Sequence, residues 1–175
     1  MTDLQITLTG ETPREAATKD LLLALLERHD VAKWLFTRRV VIDEHAIPHS
    51  HPVLTLHTRH LDQEDLLLST FVHEQLHWLL ATKRKAVGYT IDVLRDMFPD
   101  VPVGPPEGAL DRDSSYLHLI VNYLELEAMR EIVGEERARV AFEFWFSDHY
   151  TGLYGIVLDN QVEIAALIDR FELRP

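Results

Sequence analysis

The sequence predicts an α+β fold: a mostly helical single domain over residues 1–175, with a small N-terminal β-sheet packed on the helix that carries His73, Glu74 and His77. Three observations predict it. Alternating, β-branched runs are confined to the first third of the chain. Beyond residue 62, apolar residues recur with helical period, broken by one Pro/Gly-rich stretch. A chain of 175 residues suits one hydrophobic core.

The elements follow in order. Leu4 to Leu8 alternates weakly and reads as a short strand. Thr12-Pro13 reads as an N-cap followed by proline at the first helical position, opening a helix over Arg14–His29 with Leu21, Leu22, Leu25 and Leu26 on one face. A short helical piece covers Val31–Phe36. Arg39–Asp43 is a strand, and EHAIPHSHP after it is irregular because of its prolines. Val53–Thr58 alternates as a strand. Asp62 caps a long helix over Gln63–Lys83, and a further helix covers Ala86–Met97. Residues 99–108, PDVPVGPPEG, form a surface loop within the domain. Helices over Ser114–Val133, Glu135–His149 and Val157–Phe171 close the chain, the first stopped by Gly134.

The balance of charge and the cysteine count narrow the chemistry. A formal net charge of −12 argues against nucleic acid and against an anionic membrane as partner. With no cysteine, disulfides, thiolate nucleophiles and cysteine-held zinc are excluded, so a metal would be held by His, Asp or Glu. The first residues lack the basic start and apolar run of a secretory signal, and no segment reaches membrane-spanning length; the expected compartment is the cytoplasm.

The informative stretch is LLLSTFVHEQLHWLLA, residues 66–81, in which His73, Glu74 and His77 interrupt an apolar run. His73-Glu74-Gln75-Leu76-His77 has the H-E-x-x-H spacing. Residues four apart share one helix face, so both imidazoles can reach one ion at about 2.0–2.1 Å. Glu74 is rotated off that face, where it can hold and deprotonate a water instead of binding the metal.

Val72–Trp78 resembles the active-site helix of zincin metallopeptidases, and the strand Val53–Thr58 resembles the edge strand that binds extended substrate in that group. The fold implied is a minimal zincin-like core, also similar to small stand-alone bacterial proteins of unknown function. Leu80 and Lys83 stand where the longer metzincin pattern has Gly and His. The resemblance is therefore to the gluzincin type, in which a glutamate on a later helix is the third ligand. On the helix from Ser114, Glu125 lies on the flank of the apolar arc formed by Leu117, Val121, Ala128 and Ile132. A carboxylate on the inward side needs a partner. Glu125 is the expected third ligand, with Glu127 and His118 behind it. His118 and Asn122 can orient the ligand carboxylate or meet substrate; the competing reading of His118 is a core histidine bonded to backbone.

The resemblance also implies a later His or Tyr that donates to the oxyanion of the tetrahedral intermediate. His149 and Tyr150 are the candidates, Tyr154 lying four residues on; as helix-terminal residues they need have no such role. His45, His49, His51, His57 and His60 form a dense cluster that fits no single face, so a second metal site is the lesser reading and a cleft mouth or solvent face the greater.

The expectation is a zinc-dependent metallohydrolase acting on a peptide or small amide, with Zn2+ held by His73, His77 and Glu125 and Glu74 as general base to metal-activated water. The alternative is an inactive metal-binding or protein-interaction domain of the same fold. Oligomeric state, substrate and native metal stay open.

Overall fold

The computed structural model describes residues 4–175; the first three residues of the expected domain lie outside them. Its strands β1 (Gln5–Leu8), β2 (Arg39–Ile42) and β3 (Leu54–Leu56) form one parallel sheet in the order β1-β2-β3. Ile6 pairs with Val40, and Val40 with Leu54. Parallel neighbours need a crossover. Helix α1 (Pro13–Arg28) supplies it between β1 and β2. Thr12 caps α1 as expected: its hydroxyl accepts from the Glu15 amide while Glu15 reaches back to the Thr12 amide, a reciprocal capping box.

No helix joins β2 to β3. The chain must still return to the same end of the sheet, and it does so as an irregular strap, residues 43–53, that runs back along the open side of β3. His49 and Thr55 form an antiparallel bridge there.

The core lies between the sheet and the helices. Val40, Ile42, Leu54 and Leu56 are buried from the sheet, and Leu22 and Leu25 from α1. Helix α2 (Glu64–Thr82) follows β3 and packs on it, on α1, and on α4 (Arg112–Val133). Every residue of α2 from Leu66 to Leu76 is buried, so this is a central helix enclosed on all sides. Gln75 within it is fully buried because it acts as a backbone substitute: its Oε1 accepts from the amides of Phe36 and Thr37 at 2.8 Å each, and its Nε2 donates to Thr37 O at 2.9 Å. It thereby ties α2 to the segment between a 3-10 turn (Ala32–Trp34) and β2.

Helix α3 (Arg84–Met97) is amphipathic and packs on α4, and α5 (Glu135–Asp148), α6 (Thr151–Asp159) and α7 (Gln161–Arg170) complete the bundle. Several boundaries differ from expectation, the strand expected over Val53–Thr58 being only Leu54–Leu56. Asp62 does not cap α2; Gln63 holds the cap position and makes no side-chain cap bond. Asp111 caps α4, accepting from the Ser114 amide at 2.7 Å, so that helix begins earlier than Ser114. The expected last helix over Val157–Phe171 is two helices that meet at Asn160, whose Nδ2 donates to Ile156 O and diverts the chain.

The loop over residues 99–108 is fixed in place. A Cβ at Gly108 would lie 2.1 Å from Pro102 O, so only glycine allows this close passage. The loop's carbonyls receive the first amides of α6: Thr151 donates to Pro106 O at 3.0 Å and Gly152 to Glu107 O at 3.1 Å. This contact sets Tyr150 at the start of α6 with φ +51°, turned towards α2 and α4. Among the described residues no helix is long and apolar enough to cross a membrane.

Candidate metal centre

Helices α2 and α4 form the site. His73 and His77 from α2 and His118 from α4 bring one ligand atom each to within 4.8 Å of one another. Their ring centroids are 5.2 Å (His73–His77), 5.5 Å (His73–His118) and 5.1 Å (His77–His118) apart.

Two of the three rings have their tautomer set from behind. His118 donates Nδ1–H to Ser114 O at 2.7 Å, which leaves Nε2 as its lone-pair nitrogen. His73 Nδ1 lies 2.9 Å from Glu125 Oε2, which leaves its Nε2 free in the same way. A ligand imidazole whose far nitrogen is held by a carbonyl or carboxylate is the arrangement that orients metal-binding histidines.

Electrostatics point the same way for His77 and His118. Burial and the charge of His73 lower the pKa of His77 well below its usual value, and that of His118 to about 3. Both rings therefore present neutral lone pairs at neutral pH. Burial opposes a charge on His73, but the hydrogen bond and charge of Glu125 prevail and raise its pKa. These three imidazoles, His77 half-buried and the other two buried, lie close enough to hold a metal ion, and zinc suits nitrogen donors.

Glu125, the expected third ligand, stands elsewhere. It is fully buried behind His73, where its carboxylate accepts from Ser69 Oγ, from Tyr154 OH at 3.1 Å and from His73. Ser69 in turn accepts from Trp145 Nε1 at 2.9 Å. The carboxylate's partner is thus a ring and two hydroxyls. The reason is helical geometry: Glu125 lies two turns along α4 from His118. The turn of α4 that faces His73 and His77 carries His118, ranked below Glu125 on sequence. Glu127 is bound to Arg174 at 2.7 Å and Tyr123 OH at 3.1 Å, away from the cluster. Asn122, one turn from His118, is fully buried, and neither atom of its amide has a partner among the described residues.

The three histidines open on a cleft of about 660 Å³. Glu74, 6% exposed, lines it beside them. Burial pushes its carboxyl up to about 7, against the pull of His73 and His49. His149 and Tyr150 line it too. His149 Nδ1 bonds Asp148 at 3.0 Å, and Arg59 clamps Asp148 with both guanidinium nitrogens, one at 2.9 Å. The Tyr150 ring lies 4.6 Å from that of His118; burial first and the Glu74 charge second raise its pKa, keeping the phenol protonated.

The dense histidine cluster is divided. His57 and His60 line the cleft, each with one buried ring nitrogen lacking a partner among the described residues. His49 belongs to the strap, His51 stacks on Trp78 at 4.3 Å, and His45 is exposed.

Ser69, Trp145, Arg59 and Asp148 were missed as site residues on sequence. Ser69 had a signal, since it lies four residues before His73 on the same face. Arg59 and Asp148 are far apart in sequence and had none.

Comparison with protein-family models, with curated proteins and with solved structures found no match for this chain.

Proposed function

We propose that this protein is a metal-dependent hydrolase, most simply a zinc peptidase acting on a peptide or small amide. The observation that carries the reading is the convergence of His73, His77 and His118 beside the buried carboxyl of Glu74 in one cleft. The motif His73–His77 also supports the resemblance to zincin metallopeptidases, with His118 in the place the gluzincin pattern gives to a glutamate.

Zinc held by His73, His77 and His118 would supply a Lewis acid for a substrate carbonyl and a bound water. Glu74 is the proton carrier. It sits one residue from His73 and faces the same cleft, within reach of a water bound there. It takes the proton of the attacking water and passes it to the leaving amine. Tyr150 offers a hydroxyl to the developing oxyanion, and His149, oriented by Asp148, faces the same space. Glu125 holds His73 in its binding tautomer.

The test is turnover of a peptide library by zinc-loaded protein, with Glu74→Gln as control. Cleavage that disappears in Glu74→Gln, while the bound metal stays, is the expected result. Zinc-loaded protein that cleaves nothing would favour a binding-only domain instead.

A further inference from the structure

The strap, residues 43–53, bears on what this cleft can hold. Substrate peptides commonly add to a sheet edge by backbone hydrogen bonds. β3 is the edge nearest the cleft. Along β3, Leu56 O accepts from Asp43 N on the inner side, so by alternation Thr55 directs its backbone groups outward. This outward pair is already used: Thr55 N–H donates to His49 O at 2.8 Å, and His49 N–H to Thr55 O at 3.2 Å.

The outer edge of the strap offers only Pro48 O and Ser50 N–H. By the same alternation Pro48 and Ser50 face away from β3. Pro48 has no N–H, and Ser50 O accepts from Trp78 Nε1 at 2.9 Å. On the inner side, Ile47 O is taken by His49 Nδ1 at 2.8 Å. The strap is therefore stapled to β3 at His49 and to α2 at Ser50, and its own edge is blunted by a proline and a spent carbonyl. Thr55 is the one residue of β3 (Leu54–Leu56) that faces outward, so no outward backbone pair of the strand stands open to a substrate.

We infer that the cleft takes short peptides or single amide-linked residues and excludes the interior of an extended polypeptide. This inference rests on the hydrolase reading. A substrate finds one backbone pair on the strap, Pro48 O and Ser50 N–H, and is otherwise held by its side chains. The cleft volume of about 660 Å³ is that of a small-molecule site. Trp78 is the latch: its indole N–H and its stack against His51 hold the strap down.

The test measures binding, so it does not need turnover. Zinc-loaded Glu74→Gln protein is ultrafiltered with end-blocked random tripeptides and, separately, decapeptides, and retained peptide is identified by mass spectrometry. Tripeptides are expected to be retained and decapeptides to bind about tenfold or more weakly. Adding Trp78→Phe, which removes the bond to Ser50, is expected to raise decapeptide retention several-fold with tripeptides little changed. Amide exchange provides a second readout: Thr55 N–H is expected to exchange slowly and to stay slow when tripeptide binds. Equal retention of both lengths, or fast Thr55 exchange on binding, overturns the inference and leaves the hydrolase reading standing. Retention of neither length overturns the peptide reading and the inference with it.

Discussion

The His73 ring and the Glu125 carboxylate face each other at 2.9 Å, with Ser69 and Tyr154 donating to the same carboxylate from its other sides. The pair explains how a carboxyl group can be fully buried on α4. It also separates two kinds of variant. Glu125→Gln and Tyr154→Phe leave the three ligands in place but loosen the orientation of one. Each is expected to weaken metal affinity by about 10–100-fold while still binding at saturating metal. Competition against a chromogenic chelator measures this directly.

Glu74→Gln removes the proton carrier and keeps the shape of the cleft. Turnover is expected to fall by about 10²–10⁴-fold. Metal affinity is expected to stay within a few-fold of the parent. A loss of metal of the same size as the loss of rate would make Glu74 a ligand and not a base.

The same residue has a stability signature in metal-stripped protein. Its folded pKa is raised from 4.5 to about 7, so the folded state holds its proton more tightly than the unfolded state. The folded protein is therefore penalised progressively as pH rises from about 4.5 through 7, by about 3 kcal/mol at about 1.4 kcal/mol for each pH unit. Glu74→Gln lifts that penalty. Urea unfolding in the presence of chelator should show the variant more stable than the parent at pH 8 and about equal at pH 4. His118 acts on the acid side. Its folded pKa is lowered from 6.5 to about 3, so metal-stripped protein loses stability as pH falls below about 6.5.

Gln75 is adjacent to the site but its role is the fold. Gln75→Ala leaves the amides of Phe36 and Thr37 without their acceptor and is expected to cost about 2–4 kcal/mol in urea unfolding. Gln75→Glu keeps an acceptor for both amides but sets a buried carboxylate oxygen against Thr37 O, and should cost at least as much. Metal stoichiometry in either folded variant should be unchanged.

The parts of this molecule that were legible in sequence are those with a local period or a local cap. The N-cap at Thr12, the three strands and the central helix with His73, Glu74 and His77 all announce themselves within a few residues. What was not legible depends on how helices cross. His118 and Glu125 lie on nearby flanks of α4, and only the approach of α2 decides which of them meets His73 and His77 directly. The parallel order of the sheet was equally hidden, and with it the strap. EHAIPHSHP reads as an irregular loop, and its pairing through His49 follows only once β2 and β3 are known to run the same way. Tyr150 and Asp148 owe their positions to contacts with residues 106 and 59, which no local pattern encodes.

The most direct test of the central claim is metal content, by mass spectrometry of untagged protein after zinc addition and desalting. It compares the parent with His118→Ala, Glu125→Gln and Glu127→Ala. Three-histidine coordination predicts about one zinc per chain in the parent and in Glu127→Ala, nearly none in His118→Ala, and a chelator-sensitive but present zinc in Glu125→Gln. A parent that holds no metal, or a His118→Ala variant that holds it as tightly as the parent, would contradict the account.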